Sequence, residues 1–352
     1  MIVARVKIIK PGMLTTVQDQ GRFGYQQYGV PVSGVMDPYA YRVANLLVGN
    51  LLGESVLEVT LMGLELEFNR ETVIAVTGGD LTPQLNSEPL SMWKSLRIKA
   101  GDRLVFKAVK AGCRSYIAIA GGIDVPSVMG SKSTYTRGTI GGYEGRALKK
   151  EDKLDLGKPS ADLSELEGRS AAEAAMEYPS TITLRVLPGP QDDAFSDKET
   201  ETFYSSAYQV TNESDRMGFR LEGPVIEHLE KPDIISDGIA MGAIQVPGHG
   251  RPIVMMADRQ TTGGYTKIAN VITADLPVMA QAKPGDEVRF QKVTLDEAMT
   301  ALQKMEEVLE KVKGELKEKT PAPQESISLK PGQRVFRITI NGITYTATVE
   351  ER

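Results

Sequence analysis

The stretch SDRMGFRLEGP (214–224), ISDGIAMGAIQVPGHG (235–250) and DRQTTGGYTKIA (258–269) sets short apolar runs between loops rich in Gly, Pro, paired charges and small polar residues. Working outward, the same grammar holds from Ile2 to about Phe290: LEVTLMGLELEF (57–68), TVIAVTGG (72–79), DRLVFKAV (102–109), SYIAIAGG (115–122), ITLRVLPG (182–189), PIVMMADR (252–259) and DEVRF (286–290). Runs this short, punctuated this often, predict strands of barrels or sandwiches and argue against a βαβ sheet. The chain is therefore read as mainly β. Its 352 residues are enough to bury a large core and to form about two domains.

The formal net charge is −5, with both signs interspersed along the chain. This gives no electrostatic footprint for nucleic acid or for an anionic membrane surface, so neither is an expected partner. The opening MIVARVKIIKPGM carries charges and a Pro, unlike the apolar region of a signal peptide, and no run is long and apolar enough to cross a bilayer. A single Cys, Cys113, excludes an internal disulfide, and neither it nor His228 and His249 has zinc-ligand spacing, so no metal site is expected. The reading is a cytosolic protein.

One helix is predicted over Pro38–Leu47, with Asp37 as its N-cap and Pro38 at the first helical position. Pro159 to Met176 reads as a polar, Ala-rich linker holding a short helix. Leu295, Ala298, Leu302, Met305, Leu309, Val312 and Leu316 alternate spacings of three and four, which predicts an amphipathic helix packed on its own domain. Beyond a Pro-containing linker, FRITINGITYTATVEE (336–351) reads as a β-hairpin with Asn341-Gly342 in a type I′ turn. Two echoes, IKAGDRLVF with AKPGDEVRF and DQGRFGYQQYGVP with SDRMGFRLEGP, raise an old duplication of one β domain; the plainer reading is that Gly-Asp turns recur before strands.

Candidate site residues concentrate in two segments. In DRQTTGGY, Asp258 and Arg259 follow an apolar strand; Thr261 and Thr262 offer hydroxyls, the Gly pair allows close backbone approach, and Lys267 can neutralise an anion. The alternative is a hairpin turn with a surface ion pair. In SDRMGFRLEG, Arg216 and Arg220 are candidates to grip a carboxylate while Asp215 orients one of them, against the alternative of a solvated, charged strand. Gln245 precedes a Pro-Gly turn that would aim it into a cleft. In TTVQDQGRFGYQQYGVPVSGVMD (15–37), Thr15, Gln18, Asp19, Arg22 and Tyr25 form a donor and acceptor cluster, and the two segments are expected to converge on one cleft. GxxxxGK[ST] and a dinucleotide GxGxxG are absent, as is a Ser-His-Asp elbow.

These motifs, with SYIAIAGGIDVPSVMGSKSTY (115–135), the PGPQ of 188–191 and GAIQVPGHGRPIV (242–254), resemble in order the family of the 5-oxoprolinase C-type subunits. It is also described as the biotin-dependent carboxyltransferase, allophanate hydrolase subunit 2 or KipA-like family. The resemblance spans about residues 1 to 294 and implies two cyclophilin-like β-barrel domains, expected at 1–176 and 177–294, followed by a helix over 295–318 and a linker with hairpin over 319–352. It implies work with KipI-like and LamB/YcsF-like partner subunits, and ATP-dependent opening of 5-oxoproline to glutamate, with ATP, with or without Mg, used by the complex. Related activities are carboxyl transfer to urea or another amide from biotin on a separate carrier, and regulation by binding a KipI-like kinase inhibitor without chemistry. The hairpin resembles the start of a biotin carrier module, yet no lysine-bearing MKM motif follows it. On this resemblance Arg216, Arg259 and Lys267 would stabilise charge, and Asp258 or Asp215 would orient groups or move a proton. Gln18, Asp19, Arg22, Tyr25, Arg220, Gln245, Thr261 and Thr262 would bind the lactam or amide.

Overall fold

The computed structural model describes residues 5–318, 333–340 and 343–350. Residues 5–155 form two antiparallel sheets. One has six strands in the order Lys153–Asp155, Arg5–Pro11, Leu64–Phe68, Arg103–Phe106, Pro83–Leu85 and Glu88–Pro89. The other has five: Leu14–Gln18, Val56–Thr60, Ala111–Ile119, Thr72–Asp80 and Ser95–Ile98. Leu64, Leu66 and Phe68 point inward with period two and meet Leu57, Ile74 and Ile117 of the facing sheet in one apolar core. The five-stranded sheet is covered on its other face as well, where Val73, Ala75, Tyr116 and Ala118 pack with the helix Pro38–Leu47. That double cover explains why TVIAV and SYIAIA run apolar without alternation.

Residues 181–292 close a seven-stranded barrel. Its circuit runs Thr181–Pro188, Glu287–Lys292, Tyr208–Val210, Gly218–Glu222, Ile253–Met255, Ala243–Val246 and Thr262–Val271, and returns to Thr181–Pro188 through pairs such as Val186 with Val271. An eighth strand, Asp233–Gly238, adds to Thr262–Val271 on the outside. The mainly β reading is thus the observed fold, with one closed barrel and a pair of packed sheets. Closure removes the exposed edges that a sheet of such short strands would otherwise present.

The helix Pro38–Leu47 begins as expected, the Asp37 carboxylate accepting from the Ala40 amide at 2.9 Å. The helix Leu295–Glu318 opens with a capping box: Thr294 N donates to Glu297 Oε2 at 2.7 Å and Glu297 N to Thr294 Oγ1 at 3.3 Å. Leu309, Val312 and Leu316 bury beside the first helix, and Arg42 clasps Glu306 with two bonds of 2.5 and 2.7 Å. Leu295 departs from the expected stripe, being 62% exposed before the helix meets its support. The segment read as a linker holds the expected short helix, Leu163–Leu166, and is anchored as well: Leu166, Ala171 and Ala174 are buried, and Ser95 Oγ donates to Leu166 O at 2.6 Å. Apolar anchors spaced along a polar segment hold it to the sheet. The Gly-Asp turns at Lys99–Asp102 and Lys283–Asp286 share one geometry, the Asp side chain accepting from the amide three residues earlier. Lys149–Asp152 repeats it within the first half, so this turn is a local device. The strands Gln333–Ile340 and Ile343–Glu350 pair with Ile340 opposite Ile343, while Asn341-Gly342 lies outside the described residues. No helix among the described residues is long and apolar enough to cross a membrane.

A seam joins the paired sheets to the barrel. Gln281, after the short helix Leu276–Ala280, accepts from Cys113 N and Arg114 N at 3.0 and 2.8 Å and donates to Asp37 Oδ2 and Arg114 O, both at 2.9 Å. Gly79 and Gly112 make room for it, because a Cβ at either would fall 2.9 or 2.7 Å from Gln281 Oε1. Asp37 also accepts from Tyr178 Oη at 3.0 Å. Burial pushes its carboxyl up to about 6, against the three hydrogen bonds that favour ionisation. A raised carboxyl holds its proton better in the folded chain, so its stabilisation is full below the ordinary value of 3.8 and is lost as pH rises past about 6. Urea unfolding should therefore show the stability difference between wild type and Asp37→Asn shrinking by about 3 kcal/mol across that window. A pH-independent difference would contradict the buried, protonatable carboxyl.

Candidate functional site

Arg216 lies in the bend before the strand Gly218–Glu222, and pairing of that strand with Ile253–Met255 brings it beside Asp258, whose amide donates to Arg216 O at 2.8 Å. Its guanidinium is buried. Nε and Nη2 donate to Asp258 Oδ2 and Oδ1 at 2.9 and 3.1 Å, Nη2 also to Gly34 O at 2.5 Å, and Nη1 to Glu58 Oε1. The second oxygen of Glu58 accepts from Met36 N at 2.8 Å and Tyr116 Oη at 3.0 Å. Burial alone would lower the Arg216 pKa, but Asp258 and Glu58 overcome it and hold the group charged. The expected joint grip with Arg220 does not form, because Arg216 turns into the seam while Arg220 stands exposed on the strand. Nor does Asp215 orient either arginine. It caps its own turn through Met217 N at 2.8 Å and pairs at 3.0 Å with Arg137.

The N-terminal segment does converge on the same region: Ser33 N donates to Ala257 O at 3.1 Å, and Met36 enters the barrel core. Asp19 is saturated by Gly21 N, Lys132 N and the hydroxyls of Ser131 and Ser133 at 2.5 to 2.9 Å, which makes it a staple between two loops. Arg22 is fully buried; Nε and Nη2 donate to Val128 O and Ser133 O, both at 2.9 Å, and Nη1 has no partner. Burial lowers its pKa, opposed by Asp19 and Asp258. Gln18 donates to Thr16 Oγ1 and Thr134 O at 3.0 and 3.1 Å, leaving Oε1 unpartnered. Tyr25 is partly exposed ahead of the turn Gln26–Tyr28.

The loop Asp258–Gln260 divides two clefts. On one side Gln260 joins Arg137, Asp215, Arg220, Gln245, His249 and Tyr265 around a polar cleft of about 320 Å³ against the outer barrel wall. Gln245 is 1% exposed with Nε2 unpartnered, and its cross-strand neighbour Lys267 is 3% exposed. Lys267 Nζ lies 3.3 Å from Asp237 Oδ2, an ion pair whose angles do not make a hydrogen bond. Gly263 leaves room for both tips here, since a Cβ would fall 2.8 Å from Gln245 Nε2 and 2.6 Å from Ile239 Cδ1 and make them shift. Thr261 precedes and Thr262 begins the neighbouring strand, but neither lines this cleft. On the other side Arg259 faces a second, apolar-walled cleft with Ser33.

Among the described residues, eight buried side-chain atoms lack a hydrogen-bond partner, and five of them belong to Gln18, Arg22, Ser33, Gln245 and Lys267. Native folds rarely leave such groups unpaired, and two of the five stand on cleft walls where an outside partner can meet them, Gln245 in the polar cleft and Ser33 in the apolar one. Sequence reasoning missed Arg137, His249, Gln260 and Tyr265 as lining residues and Glu58 as the anchor of Arg216. Arg137 lies within TYTRG, where no periodicity or paired charge singles it out. His249 reads in the sequence only as a metal ligand or hydrolase base, and neither reading places it on a barrel wall.

The sequence matches the family described as carboxyltransferase domain, subdomain A and B, over residues 28–292. It is 41% identical over 307 residues to the C-type subunit of 5-oxoprolinase from Escherichia coli, covering 87% of this chain and 97% of that protein. The corresponding Haemophilus influenzae 5-oxoprolinase subunit is 35% identical over 304 residues, covering 86% of this chain and 96% of that protein. The crystal structure of the Kluyveromyces lactis urea amidolyase superposes with a TM-score of 0.83 at 32% identity. That likeness covers 89% of this chain but only 20% of the amidolyase chain.

Two of the buried cations, Arg216 and Lys267, should answer differently to an apolar replacement. Arg216→Met strands two buried carboxylates and should cost about 3–5 kcal/mol in urea unfolding. Lys267→Met removes a buried ammonium that makes no hydrogen bond, so stability should hold or rise by up to about 1 kcal/mol. A loss at Lys267 as large as that at Arg216 would make it a structural ion.

Proposed function

The chain belongs to the carboxyltransferase domain family of subdomains A and B, and from that premise we propose that it is the C-type subunit of an ATP-dependent 5-oxoprolinase. It would open 5-oxoproline to glutamate together with KipI-like and LamB/YcsF-like partner subunits. The observation that carries this reading is the 41% identity covering 87% of this chain and 97% of the Escherichia coli 5-oxoprolinase C-type subunit. The work is shared, as the word subunit implies, so the chain's own task is one part of an enzyme complex.

We place the substrate in the polar cleft. A lactam carbonyl resists attack because its amide nitrogen donates into it. A phosphoryl group from ATP on its oxygen makes the carbon electrophilic, water adds there, and the ring C–N bond breaks with the nitrogen taking a proton. The resulting acyl phosphate is hydrolysed to the carboxylate and phosphate. The chain lacks a P-loop, so the nucleotide is assigned to the partner subunits, whereas the cleft offers donors for substrate and phosphoryl oxygens. Gln245 Nε2 on the cleft wall and Lys267 Nζ on the paired strand beside it, both buried without a hydrogen-bond partner, are assigned to stabilise negative charge on the reacting oxygen. Preorganised donors of this kind act strongly where water is excluded. Arg137 and Arg220, on the cleft wall, suit the substrate carboxylate. Asp258, with both oxygens on Arg216, serves as a positioning residue and is not a free proton acceptor. Gln18, Asp19 and Arg22 hold the loops that support this wall.

The second reading is biotin-dependent carboxyl transfer to urea or another amide, favoured by the TM-score of 0.83 to the Kluyveromyces lactis urea amidolyase. There the same donors would face a carboxyl group delivered by a separate carrier.

The test is glutamate and ADP production from 5-oxoproline and ATP by the reconstituted complex, omitting each subunit in turn. Product should require this chain, and Lys267→Ala and Gln245→Ala should each lower turnover by at least about a hundredfold in complexes that remain assembled. Wild-type turnover in both variants would remove the polar cleft from the reaction. An intact complex without product, active instead with carboxybiotin and urea, would select the second reading.

A further inference from the structure

The cleft on the other side of the Asp258–Gln260 loop has no part in the reading above. It measures about 400 Å³ and is walled by Phe23, Val32, Val35, Pro38, Leu52 and Met241 among others. Among the described residues, Arg259 and Ser33 are the two polar residues on the lining whose charge or hydroxyl is left unmatched. Arg259, 8% exposed, donates through Nε to Ile239 O at 2.8 Å and through Nη1 to Met256 O at 3.2 Å. No carboxylate pairs with it among the described residues, and burial alone pushes its pKa down to about 10. Ser33, 4% exposed, is held at a φ of 56° with its hydroxyl unpartnered.

The other polar side chains on the lining are spent elsewhere. Gln20 donates to Leu52 O at 2.7 Å, Tyr41 Oη lies 2.6 and 2.9 Å from Leu52 O and Glu54 O, and Arg42 is neutralised by Glu306. A guanidinium kept charged, largely desolvated and without a counter-ion is costly unless an anion completes it. Ser33 compounds the cost, since a non-glycine residue at positive φ is strained and its buried hydroxyl gains nothing from protein. One cation with one hydroxyl at the end of apolar walls matches one carboxylate on an apolar body. A phosphate dianion would leave charge unmatched against those walls, and the volume is at the small end of ordinary ligand pockets.

We infer that this cleft is a second ligand site, taking a small organic carboxylate with an apolar body, its carboxylate on the Arg259 guanidinium and the Ser33 hydroxyl. The site is distinct from the polar cleft, and its occupant need not be the substrate.

The full chain would be titrated calorimetrically with 3-phenylpropionate and with its neutral amide as probes. The acid should bind at one site at least about tenfold more tightly than the amide. Arg259→Gln should bring the acid down to the level of the amide, and Ser33→Gly, which relieves the positive φ while deleting the hydroxyl, should weaken the acid several-fold with unchanged melting. Gln245→Ala, in the other cleft, should bind the acid as wild type does, which separates this inference from the fate of the lactam-opening reading. Equal binding of acid and amide, full binding by folded Arg259→Gln and Ser33→Gly chains, loss of binding in Gln245→Ala, or no binding of the acid would each overturn it.

Discussion

A guanidinium held between two carboxylates from opposite halves of the molecule governs the arrangement of everything near the site. Arg216 reaches Asp258 on its own barrel and Glu58 on the five-stranded sheet, and it also binds the carbonyl of Gly34. Taking three charges out of water is expensive, and such a group contributes little net stability compared with a well-packed apolar core. What it supplies is geometry. The clamp is satisfied only when the loop Asp258–Gln260, the turn Ser33–Gly34 and the strand Val56–Thr60 meet in one register. Gln281 and Asp37 repeat the logic a few residues away, an amide from the barrel threaded into space left by two glycines of the sheet.

The seam's satisfied bonds contrast with the unsatisfied groups beside it. Asp19, Asp37, Glu58 and Asp258 each have their oxygens occupied by donors from within the protein. Gln245, Lys267, Ser33 and Arg22 carry buried atoms with none. A rigid, fully bonded layer holding a layer of unmet donors is what a preorganised site requires, because the donors cannot collapse onto one another when the ligand is absent. The cost of those groups is borne by the barrel and sheet cores beneath them.

Much of this is legible in the chain. Strands can be read because Leu64, Leu66 and Phe68 alternate, and the helix Pro38–Leu47 because an Asp-Pro pair starts it; both signals are local. The clustering of Gly, Gln and Lys in DRQTTGGYTKIA is what singles out this strand end in the sequence, and Gly263 lies where Gln245 approaches. Glu58 is not legible, because an acid inside LEVTLMGLELEF has the pattern of a solvent-facing position until a second domain covers that face. Arg216 and Arg220 look alike in sequence, and only the bend before Gly218 sends one inward and the other out. Arg137 comes from the far half of the molecule, so its approach to Asp215 depends on tertiary placement that no local pattern encodes. Leu295 matches the helical stripe but precedes the surface that the stripe packs against.

The claim that the Arg216 clamp sets the position of the site loop can be measured by amide hydrogen exchange on a Glu58→Gln variant. The account predicts that protection falls together at Ser33, Met256 and Asp258, whose amides bond across or beside the seam, while the barrel strand Thr181–Pro188 keeps its own. Loss confined to the strand that carries residue 58, with the Asp258–Gln260 loop unchanged, would contradict it.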